Sequence, residues 1–403
     1  MSKVYIISAK RTAIGTFGGT LKDIPATKLG AEVVKEVLQE AQLNPENVDE
    51  VIVGNVLMAG QGMGPGRQVS IYAGIPKDKP GYAVNMLCGS GMKSIMIGAT
   101  DIKTGDADLV VAAGMESMSN APYLLPSTSR FGNKFGSFEV QDHMILDGLT
   151  DVFNNYHMGV TAENIAKKHN ISREEQDDFA YTSQLRAKEA IESGKFKDEI
   201  IPIEVKRKKE TVLFNQDEYP RFDTTKEKLA SLKPAFIKEG TVTAGNASGI
   251  NDGASAVLLA SERAVEKYGL KPIAELVGYN QAAVDPAYMG LGPVPAVKGL
   301  LEKIKMDLTD MELIELNEAF AAQSLGVITE LGNIYGKSKS WFLERTNVNG
   351  GAIALGHPIG ASGNRIVVTL LYEMKKRNSE FGLASLCIGG GMGTALMVKN
   401  IWR

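Results

Sequence analysis

Gly105-Asp106-Ala107-Asp108-Leu109-Val110-Val111-Ala112-Ala113-Gly114-Met115 returns, loosely, as Gly382-Leu383-Ala384-Ser385-Leu386-Cys387-Ile388-Gly389-Gly390-Gly391-Met392. Each is a short apolar run leaving through glycine, the pattern of a strand covered on both faces. A second pair keeps the same order: Asp49-Glu50-Val51-Ile52-Val53-Gly54-Asn55 and Met311-Glu312-Leu313-Ile314-Glu315-Leu316-Asn317. Conserved segment order with little local identity indicates an internal duplication of two α/β halves.

The surrounding pattern agrees. In the first half, strands are expected at Val4–Ser8, Asp49–Gly54 and Asp108–Ala113, and helices at Thr27–Ala41 and Ser90–Thr104. In the second, strands fall at Pro272–Gly278, Glu312–Leu316 and Ala384–Ile388, and helices at Val297–Lys305 and Ser362–Lys375. Between the halves, from about Ser119 to Asn246, the chain reads as a polar, irregular insertion or lid carried by the first half, with helical runs at Thr161–Lys168 and Glu174–Ser193. Its basic stretch Lys206-Arg207-Lys208-Lys209 reads as a solvated loop.

Composition narrows the class. The chain has 403 residues, a formal net charge of -3 and only two cysteines. That balance argues against a general basic face for nucleic acid. Two cysteines make no disulfide framework, so a reducing cytoplasm fits. The start, Met1 to Arg11, reads as a buried first strand and lacks the longer apolar run of a signal peptide. No apolar stretch is long enough for a membrane span. The histidines, His143, His157, His169 and His357, show no metal-ligand spacing, so no metal is expected.

Both cysteines lie in glycine-rich turns, Asn85-Met86-Leu87-Cys88-Gly89-Ser90-Gly91-Met92 and Leu386-Cys387-Ile388-Gly389-Gly390-Gly391-Met392-Gly393. Glycine there lets backbone N–H groups approach whatever a sulfur attacks. Cys88 falls near the first turn of a helix, where free N–H groups and the dipole favour a thiolate. A third turn, Asn349 to Gly363, carries His357 between Gly356 and Pro358. Alone, His357 reads as a hydrogen-bonded structural histidine; its glycine setting points to a site. Asn317 follows a strand, where it either caps the next helix or holds a water at the strand's end.

Cys88-Gly89-Ser90-Gly91, Asn317-Glu318-Ala319-Phe320-Ala321-Ala322, Gly356-His357-Pro358-Ile359-Gly360-Ala361-Ser362-Gly363 and Cys387-Ile388-Gly389-Gly390-Gly391-Met392-Gly393 resemble the four signatures of thiolases, in thiolase order. Tyr156-His157-Met158-Gly159, Thr241 to Gly249 and Met289-Gly290 resemble those of the short-chain, biosynthetic branch, the acetyl-CoA C-acetyltransferases.

The resemblance implies a duplicated five-layer α/β/α/β/α fold with an inserted loop domain. Its parts would be an N-terminal core at 1–120 plus 251–271, a loop domain binding coenzyme A at 121–250 and a C-terminal core at 272–403. It implies reversible condensation of two acetyl-CoA to acetoacetyl-CoA, with acyl-CoA thioesters as substrates, no cofactor, and a homotetramer of tight dimers. The rivals are a longer-chain 3-ketoacyl-CoA thiolase, a β-ketoacyl synthase (disfavoured because that class has a histidine at the place of Asn317) and a coenzyme A-binding scaffold.

By the same resemblance Cys88 carries the acyl group, His357 takes its proton and Cys387 is the second acid/base. Asn317 holds a water beside His357, and the N–H groups of Cys88 and Gly389 form an oxyanion hole. His157, Met158, Arg221, Phe236, Ala244, Ser248, Ala319 and Phe320 line the coenzyme A path, and Met289 closes the acyl pocket; from residue type alone, Met158, Phe236, Met289 and Phe320 also suit ordinary core packing. Two departures from the family pattern stand out. Gly62-Met63-Gly64-Pro65-Gly66-Arg67 replaces its usual Gln-Asn-Pro-Ala-Arg, and the long stretch Gly332–Arg345 reads as a surface elaboration.

Overall fold

The computed structural model describes residues 3–207 and 210–402. Its centre is a sheet of eleven strands, nine of them on one continuous path. We label these nine β1 (Val4–Thr12), β2 (Glu50–Gly54), β3 (Gly81–Val84), β4 (Leu109–Ser117), β5 (Asn251–Ser261), β6 (Ala274–Ala283), β7 (Leu313–Leu316), β8 (Phe381–Ile388) and β9 (Met392–Asn400). Their spatial order is β7-β8-β9-β6-β1-β5-β4-β2-β3. The two halves meet where β1 and β6 pair antiparallel, Tyr5 opposite Glu275 and Ile6 opposite Ala274.

The duplication is visible in pairing as well as order. From the junction outward, β1, β5, β4 and β2 correspond to β6, β9, β8 and β7. In each set only the outer pair is parallel, β4 with β2 and β8 with β7. Even an irregularity repeats: the register slips between Ile6 and Ser8 in β1 and between Leu276 and Gly278 in β6. A bulge at the same place in both copies is a built feature of the repeated unit.

The helices that position the site are α1 (Ala26–Glu40), α2 (Pro65–Tyr72), α3 (Ser90–Thr104), α4 (Met158–His169), α5 (Arg173–Glu192), α6 (Pro293–Ile304), α7 (Ala321–Tyr335), α8 (Lys339–Arg345) and α9 (Ile359–Arg377). α1 covers the outer face of the first set of strands and α6 that of the second, while α3 and α9 lie side by side between the two sets. The result is five layers, α/β/α/β/α. α9 is buried from Ile359 to Met374, so small and apolar residues fill most of it, and its polar side chains Asn364, Arg365, Thr369 and Glu373 are buried with them.

Glycine allows the middle layer to close. A Cβ on Gly91 of α3 would sit 2.8 Å from the backbone nitrogen of Asn364, and one on Gly363 of α9 would sit 2.6 Å from that of Met92. The helices therefore touch backbone to backbone at their first turns. β strands come equally close: a Cβ on Gly54 would lie 2.4 Å from the carbonyl carbon of Ser90, and one on Gly114 would lie 2.6 Å from the carbonyl oxygen of Gly360.

Several expectations need correction. β5 is fully buried yet has no alternation of polar and apolar residues, and β3 and β9 also escaped the sequence pattern. The middle segment is not simply polar, because Tyr123, Leu125, Phe131, Phe135, Phe138, Val152 and Phe153 are exposed. Nor is it carried by the first half alone: α4 packs on α7, and Ile165 of α4 reaches Gly326 and Gly290. The stretch Gly332–Arg345 forms the end of α7 and then α8, and Phe342 is buried in the core, so it is not a mere surface elaboration. Lys206 and Arg207 are exposed; Lys208 and Lys209 of the basic stretch lie outside the described residues.

Gly91→Ala and Gly363→Ala each force an atom into backbone that cannot yield without separating α3 from α9. Each is expected to destabilise the fold by roughly 1–3 kcal/mol, read as a lower midpoint in thermal or denaturant unfolding. An unchanged midpoint for both contradicts the close crossing.

Candidate active site

Cys88 sits two residues before α3, and His357 sits two residues before α9. The duplicated unit thus presents one turn from each copy at the end of the middle layer where the helices touch. Cys88 and Leu87 pack against a buried cluster of Val56, Leu57, Met118, Met144 and Ile359, the last of these two residues beyond His357.

The Cys88 turn is held tightly. The Asn85 side-chain oxygen accepts from the Leu87 N–H (2.9 Å), and Ser90 Oγ accepts from the Met86 N–H (2.9 Å) while donating to the Leu87 carbonyl (2.6 Å). Leu87 is held at φ +48°, a conformation that costs a non-glycine residue roughly 1–2 kcal/mol. The N–H groups of Gly389 and of Cys88 itself both point at the Cys88 sulfur, and each lowers its pKa. By surface exposure the sulfur is only half-buried, yet its withdrawal from water outweighs these N–H groups and pushes the thiol up to about 11. Desolvation thus opposes the pull of the helix start toward a thiolate.

Cys387 ends β8, buried, opposite Gly393. Burial pushes its thiol up, and the neighbouring Cys88 adds to the effect. The chain then turns through Gly390 (φ +80°) and Gly391 (φ +84°), and a Cβ on Gly391 would meet the Val284 carbonyl oxygen at 2.3 Å. This turn returns Gly389 to the Cys88 turn, where a Cβ would lie 3.0 Å from Leu87 and 3.6 Å from the Met158 sulfur.

His357 is buried and its tautomer follows from its partners. Ser362 Oγ lies 3.0 Å from the Pro358 carbonyl and 2.6 Å from His357 Nδ1; with the hydroxyl proton given to the carbonyl, the ring proton is assigned to Nδ1. Nε2 is then bare, with no hydrogen-bond partner among the described residues. Burial, with the Arg365 cation second, lowers its pKa to about 3, so the ring is a neutral acceptor. Asn251, at the head of β5, accepts from the His357 N–H (2.9 Å).

Asn317 does not cap α7, whose N-cap position is Phe320. It is buried, and neither polar atom of its amide has a hydrogen-bond partner among the described residues. Its counterpart Asn55 in the other half is committed: its Nδ2 donates to Glu116 (2.8 Å) and to the Met115 carbonyl (3.3 Å).

Two buried carboxyls that sequence reasoning missed brace these turns. Glu116 accepts from Asn55 Nδ2 and from the N–H groups of Val56, Leu57 and Gly360, tying the exits of β2 and β4 to the start of α9. Burial raises its pKa to about 8 against those donors. Glu318 accepts from Ser183 Oγ (2.7 Å), Asn347 Nδ2 (2.9 Å) and the Ile353 N–H (3.3 Å), anchoring the glycine turn that leads to His357. The position of Glu116, one residue past the repeated Gly-Met, was the available signal.

The remaining candidates form a wall beside Cys387. His157 caps α4, its Nδ1 accepting from the Gly159 N–H (3.0 Å), and stacks on Phe236 (4.6 Å, 18°). Phe236 meets Phe320 edge-on at 6.1 Å. The Ser248 N–H donates to the Ala319 carbonyl (2.9 Å), and Ala247 bridges Phe320. Met158, Met289, Ala319 and Phe320 share one buried cluster with Cys387. Ala244 and Arg221 are exposed, and no hydrogen bond joins either to the others among the described residues. Tyr219, two residues before Arg221, packs on Gly249 at the rim of this wall. A surface groove of about 1310 Å³ between α1 and residues 202–207 contains none of the candidates.

The duplicated five-layer fold, with glycine turns carrying Cys88, His357 and Cys387, matches the thiolase class. The comparisons with known proteins agree. The N-terminal domain of thiolase matches residues 4–263, and its C-terminal domain matches residues 270–400. The acetyl-CoA acetyltransferase of Pseudomonas aeruginosa is 54% identical over 401 residues, covering 99% of this chain and all of that one. Among solved structures, the Bacillus anthracis acetyl-CoA acetyltransferase superposes with a TM-score of 0.94 at 44% identity, covering 100% of this chain and 99% of that one. Human mitochondrial 3-ketoacyl-CoA thiolase follows at 0.93 and 45%, with 99% of each chain covered. The chain belongs to the thiolase family.

A thiol whose pKa is near 11 is mostly protonated at neutral pH. Its direct alkylation by iodoacetamide is expected to rise about tenfold per pH unit from pH 8 to 10, without levelling near the value of a free cysteine. Quantifying Cys88 labelling by mass against pH checks this; a plateau by pH 8.5 overturns it.

Proposed function

We propose that this thiolase is an acetyl-CoA acetyltransferase that condenses two acetyl-CoA to acetoacetyl-CoA and coenzyme A, reversibly, through an acyl-cysteine. The observation that carries the reading is the close approach of the two cysteine turns, where a Cβ on Gly89 would meet the Ile388 side chain at 2.3 Å and one on Gly389 would meet Leu87 at 3.0 Å.

In the first half-reaction His357 Nε2 takes the proton from Cys88 as Sγ attacks the thioester carbonyl carbon. The carbonyl oxygen gains charge against the two N–H groups. The carbon–sulfur bond to coenzyme A then breaks, and the leaving sulfur receives the proton of Cys387, which is left as a thiolate while Nε2 keeps the proton from Cys88. In the second half-reaction the Cys387 thiolate removes a proton from the methyl of a second acetyl-CoA, whose thioester oxygen is held by the Nε2–H of His357 and a water on Asn317. The carbanion attacks the acetyl carbon on Cys88, and Cys88 Sγ leaves and takes back the proton from Nε2. The free amide of Asn317 and the bare Nε2 of His357 support this division.

His157, Phe236, Ser248, Ala319 and Phe320 form the pantetheine path in this reading, with Ala244 and Arg221 at its mouth. Met158 and Met289, both buried, limit the acyl pocket to short chains. The acyl-CoA itself is the only small molecule required, and the same reading places the enzyme in the cytoplasm. Exposed aromatic residues between Tyr123 and Phe153 support assembly into a homotetramer.

Intact-mass measurement after mixing with acetyl-CoA is expected to show one added acetyl group, absent in Cys88→Ser. Cys387→Ser is expected to acylate while losing at least about a hundredfold in condensation, the scale of an acid/base contribution. Absence of any mass shift in the native enzyme favours a coenzyme A-binding scaffold. Equal or better cleavage of a medium-chain 3-ketoacyl-CoA than of acetoacetyl-CoA favours the longer-chain thiolase.

A further inference from the structure

The helix α5 buries a polar face. Its inward positions, Gln176, Asp177, Ala180, Ser183, Gln184 and Ala187, recur at the spacing of one helical face and include no large apolar side chain. The four polar ones are at most 7% exposed. Burying polar groups is costly unless each is bonded, and apolar side chains would hold a helix to the core without that condition. Here each of the four is bonded, and each reaches a segment of the candidate site.

Three of them hold the segments assigned to coenzyme A. Gln176 Nε2 donates to Thr241 Oγ1 (2.9 Å). Asp177 accepts twice, Oδ1 from Asn246 Nδ2 (2.9 Å) and Oδ2 from Arg173 Nε (2.7 Å). Asn246 fixes the loop that carries Ala244: its Oδ1 accepts from the Thr243 N–H (2.8 Å) and its Nδ2 donates to the Thr241 carbonyl (3.1 Å). Its own carbonyl accepts from the Ala321 N–H (2.9 Å), directly after Phe320. Arg173 Nη2 donates to the carbonyls of Leu229 and Leu232 (2.7 and 2.9 Å), and Gln184, two turns beyond Asp177, accepts from the Arg221 N–H (2.9 Å). One carboxylate thus joins the Ala244 loop to the segment that begins at Arg221.

Ser183 serves the other side. Its Oγ donates to Glu318 Oε2 (2.7 Å) and accepts from the Gly351 N–H (3.0 Å). Glu318 follows Asn317, and Gly351 begins the short turn that leads to His357. The fit is close: a Cβ on Gly350 (φ +82°) would stand 2.7 Å from the Ser183 carbonyl oxygen and 2.8 Å from the Ala187 Cβ.

We propose that the buried polar face of α5 is a positioning element that holds the coenzyme A loops in register with the catalytic turns, Asp177 and Gln184 setting the loops and Ser183 the turns. The inference rests on the roles given above to Ala244, Arg221, Asn317 and His357. None of these three side chains touches substrate; each acts through hydrogen bonds that apolar packing does not replace. A fully bonded polar face fixes one arrangement of its neighbours where an apolar face tolerates several.

Two constants separate this from a merely structural helix: the Kd of coenzyme A by calorimetry, and kcat for acetoacetyl-CoA cleavage at saturation. Asp177→Ala is expected to weaken coenzyme A binding about tenfold, the scale of a buried hydrogen bond left unmade, and to keep kcat within about threefold. Gln184→Met keeps the length and loses the acceptor; it is expected to weaken binding about fivefold and stands in should Asp177→Ala fail to fold. Ser183→Ala is expected to lower kcat about tenfold and keep Kd within about twofold. Exchanging the partners, Asp177→Asn with Asn246→Asp, rebuilds a donor–acceptor pair and is expected to return Kd to within about threefold of wild type. Asn246→Asp alone, which sets two carboxylates together, is not. Kd and kcat moving together in the Asp177 and Ser183 variants overturns the proposal, as does an exchange that restores nothing. A lowered unfolding midpoint with both constants at wild-type values overturns it too. Absence of acetoacetyl-CoA cleavage by the native enzyme defeats the acetyltransferase reading instead, while the coenzyme A titrations still test the loops.

Discussion

The backbone contact between α3 and α9 at Gly91 and Gly363 governs the rest of the molecule. Two helices that kept ordinary side chains at their first turns would stand 8–10 Å apart on axis. The turns that precede them would then separate, and the Cys88 sulfur and His357 ring with them. Gly54 and Gly114 extend the same requirement to the strands beneath, because their Cα atoms face the backbone of Ser90 and Gly360. These four glycines do not supply flexibility. They supply thinness, and thinness at the crossing lets two turns from distant parts of the chain share one cavity.

Duplication explains why such a crossing exists, and divergence explains what it holds. α3 and α9 are the same helix of the repeated unit, so their preceding turns arrive together by symmetry. Cysteine stands at one turn and histidine at the other. The strands that end beside them carry Asn55 and Asn317 at matching positions. In the first copy the amide N–H group is tied to Glu116 and holds the scaffold, with only its oxygen unpaired; in the second neither polar atom has a partner among the described residues. One copy's amide thus belongs to the frame and the other's faces the site.

Legibility in the sequence followed locality. α3 was bounded correctly because apolar spacing and flanking glycines are local signals, and the two repeated runs identified β4 and β8 for the same reason. β5 was missed because it lies at the centre of the sheet, buried on both faces; its Asn251-Asp252-Gly253-Ala254-Ser255 start satisfies its polar groups with distant partners such as the His357 N–H and Ser119. Glu116 and Glu318 were opaque on the same ground. A charged residue reads as solvent-facing until the fold supplies the donors that surround it. The opposing pull on Cys88 was hidden for a similar reason: a helix start is visible in a sequence, and the desolvation of the sulfur beside it is not.

Burial raises a further question, since a dry cavity disfavours every charge the chemistry creates. In the resting enzyme the conflict is absent: both cysteines hold their protons and the imidazole holds only its Nδ1 proton. Charge arises in the proposed reaction only as a thioester carbonyl enters, and it arises on an oxygen placed against the N–H groups of Cys88 and Gly389. Those donors are fixed by the strained turn at Leu87 and the triple-glycine turn after Ile388, so they need no reorientation at the moment of reaction. The fixed dipoles of these N–H groups are worth more in a low-dielectric site than in water once an acyl group is bound there.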